Sequence, residues 1–149
     1  MAPSAVLSVT HDAVLVNSFA NDPEISRAAG FGGREVDCGP RMLDGDLVFL
    51  TDGADAMMAL HHDGDPARLQ KHNLFKAGCR GGAAIRMGRA MLEWAASNLG
   101  ARTVWAQTPV ANRKARWFNR QIGMTSRGVI ASDLLGDVEI FEKEFVQCH

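Results

Sequence analysis

Apolar positions recur along this chain at two spacings, and the switches between them lay out its elements. Over residues 84–99, Ile85, Leu92 and Ala96 lie beside Met87, Met91, Trp94 and Ala95, a broad stripe at helical spacing. Arg86, Arg89 and Glu93 share the polar side, and Gly100 is a natural stop. Nearer the start, residues 5–9 form a short apolar run suited to a first strand. Val14, Leu15, Phe19, Ile25 and Ala28 then predict the apolar side of two short helices parted at Asn21-Asp22-Pro23. Thr10 or Asp12 can cap the first helix, Asp22 ahead of Pro23 opens the second, and Gly30, Gly32 and Gly33 close the region.

Runs at 46–51 and 54–61 flank Thr51-Asp52-Gly53, an Asp-Gly hairpin signal. His62 to Pro66 reads as a second turn, followed by a strand at 67–75. A strand at 103–108, a helix at 112–122 stopped by Gly123, and strands at 128–131 and 137–145 complete the pattern. Strand, two helices, three meandering strands, helix, strand, helix and two strands make an α/β (α+β) sheet covered on both faces.

Composition narrows the class. At 149 residues, the whole of 1–149 fits one domain that buries about two-thirds of its unfolded surface. Apolar content of 46% and charged content of 22% are those of an ordinary globular protein. A formal net charge of −1 argues against a dedicated nucleic-acid binder, which carries a basic excess. Cys38, Cys79 and Cys148 are odd in number, widely spaced and match no zinc pattern, so reduced thiols in a cytoplasmic protein are the simplest reading. No run approaches the ~18 apolar residues of a membrane span, and the first residues lack the pattern of a signal peptide. His61-His62-Asp63 invites a metal, but neighbouring strand residues point to opposite faces, and a solvated turn is expected instead.

Chemistry concentrates at Cys79-Arg80-Gly81-Gly82-Ala83-Ala84, just before the long helix. Small residues let backbone approach a ligand, and N–H groups at a helix start attract anions. Arg80, Arg86 and Arg89 add charge suited to a pyrophosphate and a further phosphate. No Gly-Lys-Ser/Thr follows, which rules out a Walker A loop, and no Gly-x-Gly-x-x-Gly is present. Cys79, at a helix start beside Arg80, is expected to have a somewhat lowered pKa.

Counting from Asn112 as one, Ala115 falls at four, Phe118 at seven, Gly123 at twelve and Met124 at thirteen. This register resembles the Asn-x-x-Ala…Gly-Phe signature of the GNAT (GCN5-related N-acetyltransferase) superfamily. The stretch from Arg80 to Leu92 looks like that family's Gln/Arg-x-x-Gly-x-Gly/Ala loop and the helix it opens. Asn21-Asp22-Pro23-Glu24-Ile25 is similar to a helix of acetyltransferases related to the ribosomal-protein modifiers. The match departs from the pattern in the loop, where Ala83 and Ile85 stand at usual glycine positions, and at Met124, where the family has Phe.

The resemblance implies a mixed, mostly antiparallel six- to seven-stranded sheet in which a V of splayed strands takes the pantetheine arm of acetyl-CoA, with no metal. It implies direct acyl transfer to a primary amine. Phe75, Cys79, Arg80, Gly81, Gly82, Ala83, Ala84, Arg86, Asn112 and Arg116 are then the cofactor-binding residues. His72, on the strand before the loop, is the expected base, an imidazole being suited to taking an ammonium proton at neutral pH. A His at this place also resembles small acetyltransferase-like proteins of tailed phages. Asn112 joins it at the mouth of the V. The family's thiolate acid, a Tyr, corresponds to Asn119, and the chain contains no Tyr. An amide can hydrogen-bond a thiolate but gives it no proton. Dimers are common in the family, and Met57, Met58 and Trp117 are the candidates for a homodimer interface.

Other readings stay open. One is a degenerate GNAT-fold protein that binds CoA or a protein partner without catalysis. Another is a toxin-type enzyme acting on aminoacyl-tRNA, for which Arg113, Lys114, Arg116 and Arg120 would supply a local basic cluster. An α/β domain of unrelated function is the third.

Overall fold

The computed structural model describes residues 6–28 and 34–146. Ala5, Gly30, Gly32, Gly33 and Cys148, all named above, lie outside the described residues. After a two-residue strand β1 (Ser8–Val9), helices α1 (Ala13–Ala20) and α2 (Pro23–Ala28) form where predicted, and of Thr10 and Asp12 it is Asp12 that caps the first. Asp12 Oδ1 accepts from the amides of Val14 and Leu15 at 3.0 and 3.3 Å, and Asp22 Oδ1 does the same for Glu24 and Ile25 at 3.1 and 3.3 Å. The stripe α1 buries is Val16, Phe19 and Ala20, whereas Val14 is 80% exposed. Asn17 and Asn21 bond the backbone of Cys38 and Val36, which holds the polar side of α1 to the following segment and fixes its rotation.

A 3-10 helix at Pro40–Leu43 leads into β2 (Leu47–Thr51), β3 (Ala56–His61) and β4 (Arg68–Phe75). The loop between β2 and β3 is wider than the two-residue turn that Asp-Gly suggests. Asp52 Oδ1 gathers the amides of Ala54, Asp55 and Ala56, and Thr51 Oγ1 donates to the carbonyl of Ala56, which together close a four-residue loop. Helix α3 (Gly81–Leu99), β5 (Thr103–Pro109), α4 (Arg113–Gln121), β6 (Thr125–Ser132) and β7 (Gly136–Glu144) follow. Strand β6 starts three residues earlier and ends one later than predicted, and β7 is shifted by one residue, because the two pair across almost their whole length.

The sheet has seven strands in the order β1-β2-β3-β4-β5-β7-β6. Among the described residues only β4 and β5 run parallel, as the α3 crossover between them requires. Alternation along β3 splits the core in two. Met58 and Leu60 face α3, joining Met91, Leu92, Ala95, Ile122 and Phe141. Met57 and Ala59 face the other way, against Val16, Phe19 and Ile25. Met57 and Met58 are therefore fully buried inside the monomer, and of the residues named for an interface only Trp117 is exposed. Helices α3 and α4 pack closely over one face. A Cβ at Gly88 would lie 2.8 Å from both Ile122 Cγ2 and Phe118 Cζ, so the contact depends on glycine.

Candidate functional site

The parallel pair β4 and β5 is bonded only at one end, where Arg68, Leu69 and Gln70 face Thr103, Val104 and Trp105. Beyond that point each strand keeps its outer neighbour: β4 stays on β3 through Phe75 and β5 stays on β7 through Pro109. The inner edges of the two half-sheets are therefore not bonded to each other beyond Gln70 and Trp105, and their backbone polar groups there have no partner strand. An extended ligand carrying amides can occupy such an edge as an added strand.

One side chain cluster bridges these two edges. Lys71 on β4 donates to Asn119 Oδ1 on α4 at 2.8 Å, and Asn119 Nδ2 donates to Thr108 Oγ1 on β5 at 3.0 Å. All three residues are buried. The Lys71 Nζ also lies 5.8 Å from the centre of the Phe118 ring. Burial alone pushes the Lys71 pKa down to about 7, because little solvent reaches the ammonium to stabilise it. Two residues on, along the same face of β4, Asn73 Oδ1 is buried with no hydrogen-bond partner among the described residues. Asn119 stands out in the sequence as the counterpart of the family's Tyr, whereas Lys71 does not. Its signal was present: Leu69 and Phe75 make 69, 71, 73 and 75 an inward-facing set, and two polar residues interrupt it.

Around the glycine turn, α3 begins at Gly81, three residues earlier than predicted, so Gly81 to Ala83 form its first turn instead of a loop before it. Gly81 takes φ 59°, a left-handed backbone that costs glycine nothing and lets the chain enter the helix abruptly. The first-turn amides have no partners within the helix. Ala84 is buried and Gly81, Gly82 and Ala83 are exposed. Arg86 reaches back over this turn: its Nη1 is the nearest atom to a Cβ placed on Gly82, at 3.2 Å. Arg80 bonds the carbonyl of Phe75 at 2.8 Å and Glu24 at 2.7 Å, tying the turn to α2.

Other cations named for phosphates have structural partners. Arg89 donates twice to the carbonyl of Gln121, at 3.0 and 2.7 Å, closing the end of α4. Arg116 is held by Glu139 at 2.7 Å and by the carbonyl of Val110 at 3.0 Å. Arg120 and Ser126 take the other oxygen of Glu139, at 2.7 and 2.6 Å. Desolvation acts to raise the Glu139 pKa, but the bonds from Ser126 and Arg116 and the charges of Arg120 and Arg116 outweigh it and hold the group below the ordinary carboxylate value. Asn112 caps α4, its Oδ1 accepting from Ala115 at 3.1 Å. Phe75 is buried and meets Phe118 edge to face at 5.6 Å. The Cys79 thiol is pushed up, not down: burial leads, Asp52 and Asp55 add to it, and Arg80 offsets only part.

His72 lies next to Lys71 but on the opposite face of β4. Its Nε2 is 3.0 Å from Nε2 of His61 on β3, with the rings stacked at 5.2 Å. His61 is thus part of a cross-strand pair, and only His62, 3.1 Å from Asp46, behaves as a turn residue. Packing around the His72 ring, then the charges of His61, Lys71 and Arg41, lowers its pKa to about 4, although the residue as a whole is solvent-exposed. That is well below the ordinary imidazole value assumed from sequence. A cavity of about 180 Å³ opens on this face, lined by His61, His62, Asp63, Asp65, Arg68, Gln70 and Trp105. It is separated from Lys71 and Asn119 by the sheet. No group of residues suited to holding a metal ion occurs among the described residues, and no helix among them is long and apolar enough to cross a membrane.

A central sheet parted between two parallel strands, with α3 crossing between them and α4 beside it, has counterparts among solved structures. The aminoglycoside acetyltransferase AAC(6')-Ib in complex with coenzyme A and kanamycin superposes with a TM-score of 0.73 over 93% of each chain, at 13% identity. This is the GNAT fold. Spermidine N-acetyltransferase from Vibrio cholerae, in complex with CoA and spermine, shares it with a TM-score of 0.74 at 14% identity, covering 93% of this chain and 94% of that one. A GNAT-family acetyltransferase from Bacillus anthracis shares it at 0.71 and 13% identity, covering 93% and 94%. No protein-family model and no curated protein sequence matches the chain. Within the GNAT fold, the Lys71, Asn119 and Thr108 cluster and the orphaned Asn73 oxygen are set by this chain's own side chains.

Proposed function

We propose that this chain is a single-domain N-acyltransferase that moves an acetyl or other short acyl group from acyl-CoA to a primary amine by direct attack. The observation that carries the reading is the parted β4–β5 edge, with Asn73 Oδ1 buried and unpartnered on the adjoining face of β4. An orphaned acceptor costs about 1–3 kcal/mol, which an amide donor from an extended ligand would recover. The pantetheine arm, with its two amides, fits that edge. Gly81, Gly82 and Ala83 would hold the phosphates through first-turn amides, with Arg86 above them and Arg80 released from Glu24 to join.

Acyl-CoA supplies the activated carbonyl. His72 is the group on the acceptor side that takes a proton. With a pKa of about 4 it is unprotonated but only weakly basic at neutral pH, so its part is to relay the acceptor's proton to water without retaining it. The cavity beside its partner His61 is the entry for the amine, with Asp63 and Asp65 for its charge and Trp105 as a ring face. Structural neighbours solved with CoA and with kanamycin or spermine support an amine acceptor.

Calorimetric titration with acetyl-CoA and with CoA, on the wild type and on Arg80→Ala, tests the reading. Micromolar binding that weakens in the variant supports it, and His72→Ala is then assayed against a panel of amines. Absence of binding to either ligand would sink it in favour of a GNAT-shaped scaffold acting through a protein partner.

A further inference from the structure

We infer that Lys71, positioned by Asn119, is the group that meets the leaving sulfur and returns its proton. The inference rests on the acyltransferase reading above and supplies a residue that reading lacks. An acid is needed where the β4 and β5 edges part, and Asn119 is an amide with no proton to give. Its Oδ1 faces the ammonium of Lys71 at 2.8 Å, while its Nδ2 is fixed on Thr108 at 3.0 Å. The amide is therefore oriented from both ends and holds the lysine head where those edges part.

The surroundings suit that task. From α4 the side chains around Lys71 are Asn119 and Phe118, and from β5 Thr108, all uncharged. In register with Thr108 on β7 stands Glu139, whose charge is taken up by Arg116 and Arg120. On the other face of β4, His72 feels the lysine's charge. No carboxylate pairs with Lys71 among the described residues. A lysine without a counter-ion in a buried setting gives up its proton near neutrality, and its pKa of about 7 follows from that burial.

The amine nitrogen forms a bond to the acyl carbon, the carbon–sulfur bond breaks, and its electron pair leaves on sulfur. The Lys71 ammonium donates one proton to that thiolate, giving free CoA thiol and a neutral lysine. The proton lost by the acceptor leaves on the His72 side, and Lys71 regains one from water.

The first test reads the sulfur directly. The thiol of bound CoA is titrated by its thiolate absorbance in the wild type and in Lys71→Met, which replaces the ammonium with an apolar chain of similar length. A lysine at the sulfur shares its proton with the thiol as a coupled pair, so thiolate formation in the wild type should be displaced by about one pH unit or more from that in the variant. Identical titrations overturn the assignment.

The second test is turnover, with spermidine and kanamycin as probe amines. Lys71→Met should lose about tenfold to a hundredfold in kcat with the KM for acetyl-CoA little changed. The wild-type fall in rate above the lysine's titration should vanish with it. Lys71→Arg should be equally impaired, since a guanidinium keeps the charge but does not release a proton. An aryl thioester donor, whose thiol leaves without help, should rescue both variants. Full activity of Lys71→Met on acetyl-CoA, or an acetyl group found on Lys71 itself by mass spectrometry, overturns this assignment alone. Wild-type protein that binds no CoA overturns it together with the acyltransferase reading.

Discussion

Lys71 and Asn119 stand 48 residues apart in the chain and meet at 2.8 Å in its interior. The contact joins β4 to α4 across the parted edge of the sheet and gives the ammonium an amide oxygen as its hydrogen-bond partner. A buried lysine has a depressed pKa in the folded state and an ordinary one when unfolded. The unfolded chain therefore binds more protons between about pH 7 and about pH 10, and stability rises with pH across that window. Below pH 7 the cost of burying the charge is felt in full.

Lys71→Met should accordingly raise the melting temperature, by more near pH 7 than near pH 10. Thermal unfolding at the two pH values checks this.

Asn119→Leu removes the acceptor and leaves the ammonium unpaired. We expect a loss of about 1–3 kcal/mol in urea unfolding near neutral pH. Asn119→Asp places a carboxylate at the same distance and should shift the Lys71 titration upward, which NMR of the labelled side chain would report.

His72 adds a dependence in the acid range. Its folded pKa is lowered to about 4, so the unfolded state takes up a proton first as pH falls below the ordinary imidazole value. Stability should fall from about pH 6.5 to about pH 4 and level off below, as far as this residue contributes. His72→Gln, which does not protonate, should flatten that part of a stability profile.

Glu139 joins α4 to β6 and β7 through Arg116, Arg120 and Ser126. Glu139→Gln leaves two arginines facing a neutral amide. Because Arg120 is nearly half exposed, the cost should be at the lower end for a broken buried pair, about 2–3 kcal/mol by urea unfolding at neutral pH. The folded pKa of Glu139 is depressed, so its contribution is present above the ordinary carboxylate range and is lost as pH falls through the folded value.

Gly88→Ala tests the approach of α3 and α4. The added methyl meets Ile122 and Phe118, and overpacking of this kind costs about 1–3 kcal/mol. Phe118 borders Lys71, so the variant should also move the lysine's titration.

Much of this protein was legible along the chain. The Asp caps, the helical stripe of α3 and the order of strands and helices are local matters of spacing and hydrogen-bond geometry, and they appear where the residues predicted them. The glycine turn and the register from Asn112 to Gly123 also pointed to the GNAT fold.

Partners distant in sequence were decided only in three dimensions. Spacing identified Arg116 and Arg89 as cations; packing gave them Glu139 and the end of α4. Composition counted five histidines; the β3–β4 register stacked His61 on His72 and lowered the latter's pKa. Met57 and Met58 were apolar in either view, and only the second layer of helices made them core. Lys71 is the clearest case. A lysine in a strand is ordinarily solvated, and nothing beside it in the chain says otherwise. Its burial, its amide partner and its weakened hold on a proton arise because α3 and α4 close over a sheet whose strands part at that residue.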